Sequence, residues 1–151
     1  QRPDAFMQGI NQRKFDRHGR LETTLTATSL LDFGSRANAK LINPKLRLER
    51  QPATWFIEGE RGELTPDRNE VFLSKNVIAD RLENGKNSWH LSGETLKWDQ
   101  RTDLVTSRTR TTLSQGSIDS VGNELVIDLN TNEYRLEDNV RTKWRSATSS
   151  D

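Results

Sequence analysis

Apolar and polar residues alternate with a period of two along most of this chain. The alternation is clearest over 21–27, 45–49, 125–129 and 140–144, where every second residue is apolar or threonine. A side-chain period of two is that of a half-buried β-strand. No breaker-free window of a dozen residues carries apolar positions at i, i+3, i+4 and i+7, which is the helical spacing. The sequence therefore predicts an all-β protein.

Short polar segments separate the predicted strands. Residues typical of tight turns, mainly Asp, Asn and Gly, fall at 16–19, 65–69, 83–86, 99–102 and 130–132. They divide the chain into a dozen or more short strands, which we expect to pair antiparallel in the order of the sequence.

Two patterns occur twice. Gly-x-x-Leu-x-x-Asp covers 93–99 and 122–128, and Asn-Glu-x-x-Leu-x-x-Asn-Val covers 69–77 and 132–140. One interpretation is that hairpins reuse the same turn chemistry. The other is a repeated hairpin that builds a long antiparallel sheet, whose apolar face must fold over on itself or cover a ligand.

Composition limits the core and the choice of partners. Only 31% of the 151 residues are hydrophobic, 30% are charged, the net charge is +1 and there is no cysteine. The core must be thin, and disulfides, thiolate metal sites and a cysteine nucleophile are excluded. A near-zero net charge gives no electrostatic case for nucleic acid. The longest apolar runs have three residues, far short of the about 20 that cross a bilayer.

Catalytic motifs are missing from the sequence. His18 and His90 are far apart, and no metal-binding spacing, nucleophile elbow or phosphate loop occurs. Asp67, Asp99 and Asp128 stand at turn starts, where aspartate caps backbone N–H groups. We expect no catalytic residue, no metal site and no cofactor.

A short basic segment is the best candidate for binding an anion. Arg108 and Arg110 share one strand face. A solvated strand face explains them, and the alternative is contact with phosphate or carboxylate groups of a partner, which guanidinium binds well.

The order and spacing of several segments resemble those of the LptC family and the related OstA-like repeat proteins. The resemblance covers nearly the whole chain and lies in 3–15, 16–21, 25–33, 43–46, 53–55, 62–68, 73–77, Gly116, Gly122 and 139–142. That family carries an N-terminal membrane helix, which is absent from these 151 residues. We expect such a helix to precede residue 1 in the natural protein and to tether it to the inner membrane.

The resemblance implies an incomplete, open, V-shaped antiparallel β-jellyroll in the periplasm. It implies one domain over 1–145, followed by a flexible tail over 146–151. Such a protein receives lipopolysaccharide from an inner-membrane ABC transporter in an apolar groove. It docks on the transporter through its first strands and passes the lipid to an LptA-type relay protein through its last strands. The sequence leaves open whether the chain also forms a homodimer.

We assign site residues on this basis. The predicted lipid-binding side chains are those expected to face the groove: Leu25, Ala27, Leu41, Ile57, Leu73, Val77, Leu96, Leu125 and Ile127. The predicted partner-binding edge is Asn139, Val140, Arg141, Thr142, Lys143 and Trp144. Gly19 and Gly122 are predicted turn positions at which the backbone needs the conformational freedom of glycine.

Two other functions compete with lipid transport. One is a non-catalytic β-sandwich scaffold with a filled core that binds partners only by strand addition. The other is a carbohydrate-active enzyme of jellyroll type, which would need a pair of carboxylates. The sequence pattern does not decide whether the apolar face is an accessible groove or is filled by the chain's own side chains.

Overall fold

The computed structural model describes residues 2–145, and this part of the chain contains strands and no helix. The predicted tail, 146–151, lies outside the described residues. No helix in 2–145 has the length and apolarity needed to span a membrane. The fourteen strands are β1 (Ala5–Phe15), β2 (Leu21–Asp32), β3 (Ala39–Ile42), β4 (Lys45–Arg50), β5 (Ala53–Glu58), β6 (Arg61–Leu64), β7 (Glu70–Glu83), β8 (Lys86–Asp99), β9 (Leu104–Ser107), β10 (Thr111–Gln115), β11 (Ile118–Gly122), β12 (Glu124–Asp128), β13 (Glu133–Glu137) and β14 (Arg141–Trp144).

The strands form two walls that share their long strands. In one wall, which we call wall A, one half of each long strand pairs with a short strand: β2 with β4, β7 with β5 and β8 with β10. Strands β11 and β14 complete wall A. The other halves pair with β3, β6 and β9, and β12 and β13 complete wall B. Strand β1 pairs with β2 along nearly its whole length. All pairs are antiparallel, and the predicted all-β, open jellyroll is confirmed. The expected pairing in the order of the sequence is wrong, because short strands alternate between the walls and β2 pairs with β4, β5 with β7 and β8 with β10.

The long strands turn from one wall into the other at a corner. In β7 the register shifts between Ser74 and Val77, where Lys75 and Asn76 both have positive φ, 66° and 52°. Two consecutive residues in the left-handed region bend the strand. Each of them costs conformational energy, and asparagine adopts this region more readily than most other non-glycine residues. The shorter strands cross between the walls at the same corner.

The corner repeats along the chain, which supports the repeated-hairpin interpretation. Asp138 and Asn139, between β13 and β14, have φ of 64° and 55° and match Lys75 and Asn76 in the 69–77 and 132–140 pattern. Gly9 bends the middle of β1 with a φ of 66°. Strand β7 and the β13–β14 pair are therefore two copies of one bent strand.

Aspartates cap the turns at the ends of the strands, as predicted. Asp99 Oδ1 accepts hydrogen bonds from the backbone N–H groups of Arg101 and Thr102, at 2.9 and 3.2 Å. Asp16, Asp67 and Asp128 each accept from backbone N–H groups in the same way.

The two predicted turn glycines have different roles. Gly19 lies in the β1–β2 turn with a φ of +79°, so it needs glycine's conformational freedom. Gly122, the last residue of β11, lies outside the left-handed region, and the expectation of a conformational role is wrong for it. A Cβ there would lie 2.7 Å from Leu136 Cγ and 2.9 Å from the Glu137 backbone oxygen. Glycine is needed at 122 because β13 passes too close for a side chain.

The turn carboxylates predict how these turns respond to acid. The backbone N–H of Arg20 lowers the pKa of Asp16 below its ordinary 3.8, and the N–H groups of Asn69 and Thr102 lower the pKa of Asp67 and Asp99. A lowered folded pKa gives stability that is complete above pH 3.8 and is lost as the pH falls through the folded value. We expect the three amide resonances to titrate in NMR spectra with midpoints below 3.8. Midpoints at or above 3.8 would contradict the capping role.

The close approach at Gly122 predicts a loss of stability on adding a methyl group. Gly122→Ala should lower the free energy of unfolding by about 1–3 kcal/mol, because the added carbon forces β11 and β13 apart. Urea denaturation measures this. The control is Gly19→Asn, since asparagine tolerates positive φ, with an expected change within about 0.5 kcal/mol. Equal losses for the two variants would show that the contact at 122 is not limiting.

Candidate functional site

All nine predicted lipid-binding side chains lie on the inner faces of the two walls. Their exposed fractions run from 0 to 7%, and all belong to one cluster of buried apolar residues. Their outer neighbours in the strands are more exposed; Phe56, Phe72 and Ile78 are 39, 38 and 36% exposed. The structure therefore places the whole predicted set on one side of the sheet.

Directly opposed side chains make an apolar row across wall A. Each member faces the next on the neighbouring strand, and the row runs Leu25, Leu46, Ile57, Ala79, Leu91 and Leu113. The row continues to Gln12 on β1 and to Ser120 and Thr142 on β11 and β14. At about 4.8 Å per strand, the apolar part connects strands from one end of the sheet nearly to the other.

Wall B carries matching rows. One runs Leu30, Leu41, Gly62, Leu73 and Leu96, and the other runs Ala39, Leu64, Val71, Trp98, Val105 and Ile127. These rows face the row of wall A, and we call the buried apolar residues of the two inner faces together the apolar stripe. The stripe on each wall is covered by the opposite wall, so the space between the walls is filled by the chain's own side chains. The sequence left this point open, and the structure gives the filled arrangement.

Sequence reasoning missed the largest members of the stripe. Trp55 and Trp98 are 0 and 2% exposed, and Leu48, Leu91 and Leu113 are as deeply buried. The signal was present for Trp55, because it alternates with Ile57 on one strand.

An ion pair joins the two walls at the mouth, the side of the V opposite the corner. Arg50 at the end of β4 donates to both carboxylate oxygens of Asp103, at 2.6 and 3.1 Å. Their side chains are only 12 and 10% exposed. Asp103 also accepts from Trp98 Nε1 at 2.9 Å, and Arg50 donates to the Glu22 and Glu49 backbone oxygens. The pair is fully hydrogen-bonded, which a buried charge requires.

A second set of contacts crosses the mouth further along. Arg81, 6% exposed, donates to Asn132 Oδ1 at 3.2 Å and lies over the Trp89 ring. Trp89 packs edge-on against Tyr134 with ring centroids 5.3 Å apart, and Tyr134 donates to Gln115. Wall A and wall B are therefore held together at the mouth by polar and aromatic contacts, which we call the clasp.

A cavity of about 520 Å³ lies at the mouth beside the clasp. Its lining is polar and mixed in charge, with Arg20, Glu22, Arg50, Arg101 and Asp103 among the contributors. The arginines there already pair with carboxylates of the chain. The cavity is a mainly polar end of the interior and not an apolar pocket.

The predicted partner-binding residues lie at one uncovered end of the sheet. Within the described residues β14 pairs only with β11, and 139–144 are exposed throughout, Val140 to 45% and Trp144 to 70%. At the other end, β1 pairs only with β2 among residues 2–145 and exposes Phe6 and Phe15 to 56 and 54%. Both ends combine unpaired backbone with exposed aromatic side chains.

The remaining candidates are separated. His18 lies in the β1–β2 turn, and His90 contacts Asp80 on the outer face of wall A. Arg108 and Arg110 are exposed at the crossover between β9 and β10. Within 2–145 no three His, Asp or Glu side chains are grouped to hold a metal ion.

The clasp ion pair predicts a measurable coupling. Asp103→Asn keeps an acceptor for Trp98 but leaves Arg50 without a counter-charge, so the free energy of unfolding should fall by about 2–4 kcal/mol. The double variant Asp103→Asn with Arg50→Met should lose less free energy of unfolding than the sum of the losses of the two single variants. Arg47→Met is the matched control, because the Arg47–Glu49 pair, at 2.6 Å, leaves Arg47 53% exposed and should contribute less than about 1 kcal/mol. Additive losses for Arg50 and Asp103 would contradict the clasp.

Comparison with known proteins assigns the chain to a family. A search of curated proteins finds no match. The family model described as lipopolysaccharide-assembly, LptC-related, matches residues 1–145, nearly the whole sequence. This chain therefore belongs to the LptC-related family of lipopolysaccharide-assembly proteins.

Proposed function

We propose that this protein is a periplasmic lipid-transport bridge. It receives lipopolysaccharide from an inner-membrane ABC transporter between its two walls and passes it to an LptA-type relay protein at its last strands. Membership of a lipopolysaccharide-assembly family supports the lipid. The single observation that carries the proposal is the apolar stripe, which runs across the strands between two uncovered edges.

The energetic need for such a stripe is large. Each CH₂ of an acyl chain left in water costs about 0.8 kcal/mol, so a chain of a dozen carbons costs roughly 9 kcal/mol. Several chains on one lipid cannot cross an aqueous gap unaided. A stripe oriented across the strands lets the chains move along the sheet while they stay out of water.

Lipid entry exchanges one set of apolar contacts for another. The stripe is covered by the opposite wall, so acyl chains enter as the walls part and replace the contacts between walls. Little apolar surface changes its exposure to water in this exchange. The resulting affinity is moderate, which suits handover, because very tight binding would stall the lipid in one protein.

The last edge supports docking of another strand. Within the repeat, β7 is covered on its free side by the long strand β8. The β13–β14 pair copies the bend of β7 but has no such cover in the described residues. A long strand from the relay protein therefore has a template in the chain's own β8, and docking there extends the sheet into the partner.

The first edge is proposed to dock on the transporter. Strand β1 is exposed along nearly its whole length, with Phe6, Met7 and Phe15 all more than two-fifths exposed. Exposed apolar residues on an unpaired edge strand are a liability unless a partner covers them.

The filled interior favours a second candidate function. A scaffold that joins partners by its edges needs no lipid between its walls, and the packed stripe is what such a sandwich would show. Direct detection of lipid contact separates the two candidates.

Lipid contact is tested with photo-crosslinking side chains at neighbouring residues of opposite faces. We expect Ile57, Leu73 and Val77 to crosslink lipopolysaccharide during transport, and Phe56, Phe72 and Ile78 not to. Each outer residue is an apolar neighbour of its inner partner, so the comparison controls for hydrophobicity and position. Equal labelling of both faces, or labelling of neither, would contradict the lipid bridge and favour the scaffold.

Docking at the last edge is tested by removing one backbone donor. Arg145 N–H donates to the backbone oxygen of Ser117, the residue just before β11. By alternation Lys143 N–H also points to β11, and Thr142 N–H points to the free side. Thr142→Pro should preserve the fold and reduce the affinity for the LptA-type protein about tenfold or more, by loss of the donor and clash of the ring with an added strand. Thr142→Val is the control and keeps the donor. Unchanged affinity of Thr142→Pro would place the docking surface elsewhere.

A further inference from the structure

Two buried polar atoms on the inner face of wall A have no hydrogen-bond partner within residues 2–145. They are Trp55 Nε1 and Thr23 Oγ1. Trp55 is 0% exposed and Thr23 is 7% exposed. Unsatisfied buried donors are rare in folded proteins because each carries a desolvation penalty. Trp55 packs at right angles to Trp89, with ring centroids 5.6 Å apart, and an aromatic face is only a weak acceptor. Within the described residues, neither atom therefore has a conventional hydrogen-bond partner.

The two atoms belong to one row of the wall. Thr23 is directly opposite Leu48, and Leu48 is directly opposite Trp55. Two strand spacings of about 4.8 Å place them roughly 10 Å apart along the same line. Both side chains point to the inside, because each lies two residues from a member of the apolar row on its own strand. Thr23 shares its strand face with Leu25, and Trp55 shares its face with Ile57.

The row lies between two layers of different chemistry. One step towards the corner, about 7 Å away along the strands, is the apolar row of Leu25, Leu46 and Ile57. One step towards the mouth is Arg50, with its ion pair to Asp103 and the polar cavity. Across β2, β4 and β5 the inner face of wall A thus runs from apolar, through unsatisfied donors, to charged. On β7 the same row holds the buried Arg81, directly opposite Trp55.

An acylated lipid has the same three layers in the same order. Its methylenes are apolar, its ester or amide linkages carry carbonyl acceptors, and its headgroup is polar or charged. Carbonyl groups taken out of water must be hydrogen-bonded. An indole N–H is a donor only, and a threonine hydroxyl donates as well.

We propose that Thr23 and Trp55 form a subsite for the ester or amide carbonyls that join acyl chains to the headgroup of the carried lipid. The assignment rests on the proposed lipid transport and adds where each part of the lipid lies between the corner and the mouth. Methylenes lie against the apolar row, linkages lie at Thr23 and Trp55, and the headgroup lies at the mouth. The row recognises the linkage chemistry common to acylated lipids and not the sugar.

The test compares two monomeric probes that differ only in the carbonyls. They are 1,2-diheptanoyl-glycerophosphocholine, with ester linkages, and the corresponding diheptyl ether. The full chain should bind the ester roughly three- to tenfold more tightly, the range expected of one or two buried hydrogen bonds. The Trp55 indole N–H resonance should move downfield with the ester and not with the ether.

Variants assign the preference to these two side chains. Trp55→Phe and Thr23→Val should each lower the ester-to-ether ratio in part, and the double variant should bring it close to one. Trp98→Phe is the matched control, since the Trp98 N–H already donates to Asp103; it should weaken both probes by the same factor and keep the ratio. Thr23→Val should also raise the melting temperature of the lipid-free protein by roughly 2–4 °C, because it removes an unsatisfied hydroxyl at constant volume.

The outcomes separate this assignment from the proposed function. Binding of both probes with equal affinity, and no movement of the Trp55 resonance, would overturn the subsite and leave lipid transport standing. Binding of neither probe, nor of lipopolysaccharide, would overturn the proposed function itself. A lower melting temperature for Thr23→Val would show that its hydroxyl is already satisfied in the free protein and would remove Thr23 from the subsite.

Discussion

The apolar faces of the two walls can leave water only against each other or against a ligand. Less than a third of the chain is hydrophobic, and nearly all of the deeply buried apolar side chains fall in a single cluster between the walls. The part of the chain that the structure describes has no other core. Whatever enters between the walls therefore competes with the contacts that stabilise the fold, and function and stability depend on the same surface.

The bent strands make this arrangement repeatable. A pair of left-handed residues at 75–76 and again at 138–139 turns a strand from wall B into wall A while the side-chain alternation keeps apolar residues inside. Because each bent strand spans both walls, both can be extended together by adding strands at either end. The mouth contacts Arg50–Asp103 and Trp89–Tyr134 then hold shut the side of the V where no strand crosses. In the proposed function, lipid enters at this side when these contacts release and then moves along the length of the sheet.

Much of the fold was predictable because the information is local. The period of two identifies the strands and their inner faces, and all nine predicted groove residues lie inside. Aspartates at turn starts act as caps, as their position predicts. Long-range contacts were not predictable. Arg50 and Asp103 are 53 residues apart, and their pairing depends on how the walls close. The role of Gly122 depends on the approach of β13, and the missing partner of Trp55 Nε1 is a property of packing that no pattern reports.

The central claim is that lipid occupies the space between the walls by parting them, and an inter-wall distance tests it most directly. The chain has no cysteine, so spin labels can be placed at Lys86→Cys, at the exposed tip of wall A, and at Thr131→Cys, at the exposed tip of wall B. Pulsed double electron–electron resonance then measures the distance between the two labels, which reports the width of the mouth. Lipopolysaccharide should increase this distance by several ångströms, and its removal should restore the shorter one. Bound lipid with an unchanged distance distribution would contradict the claim.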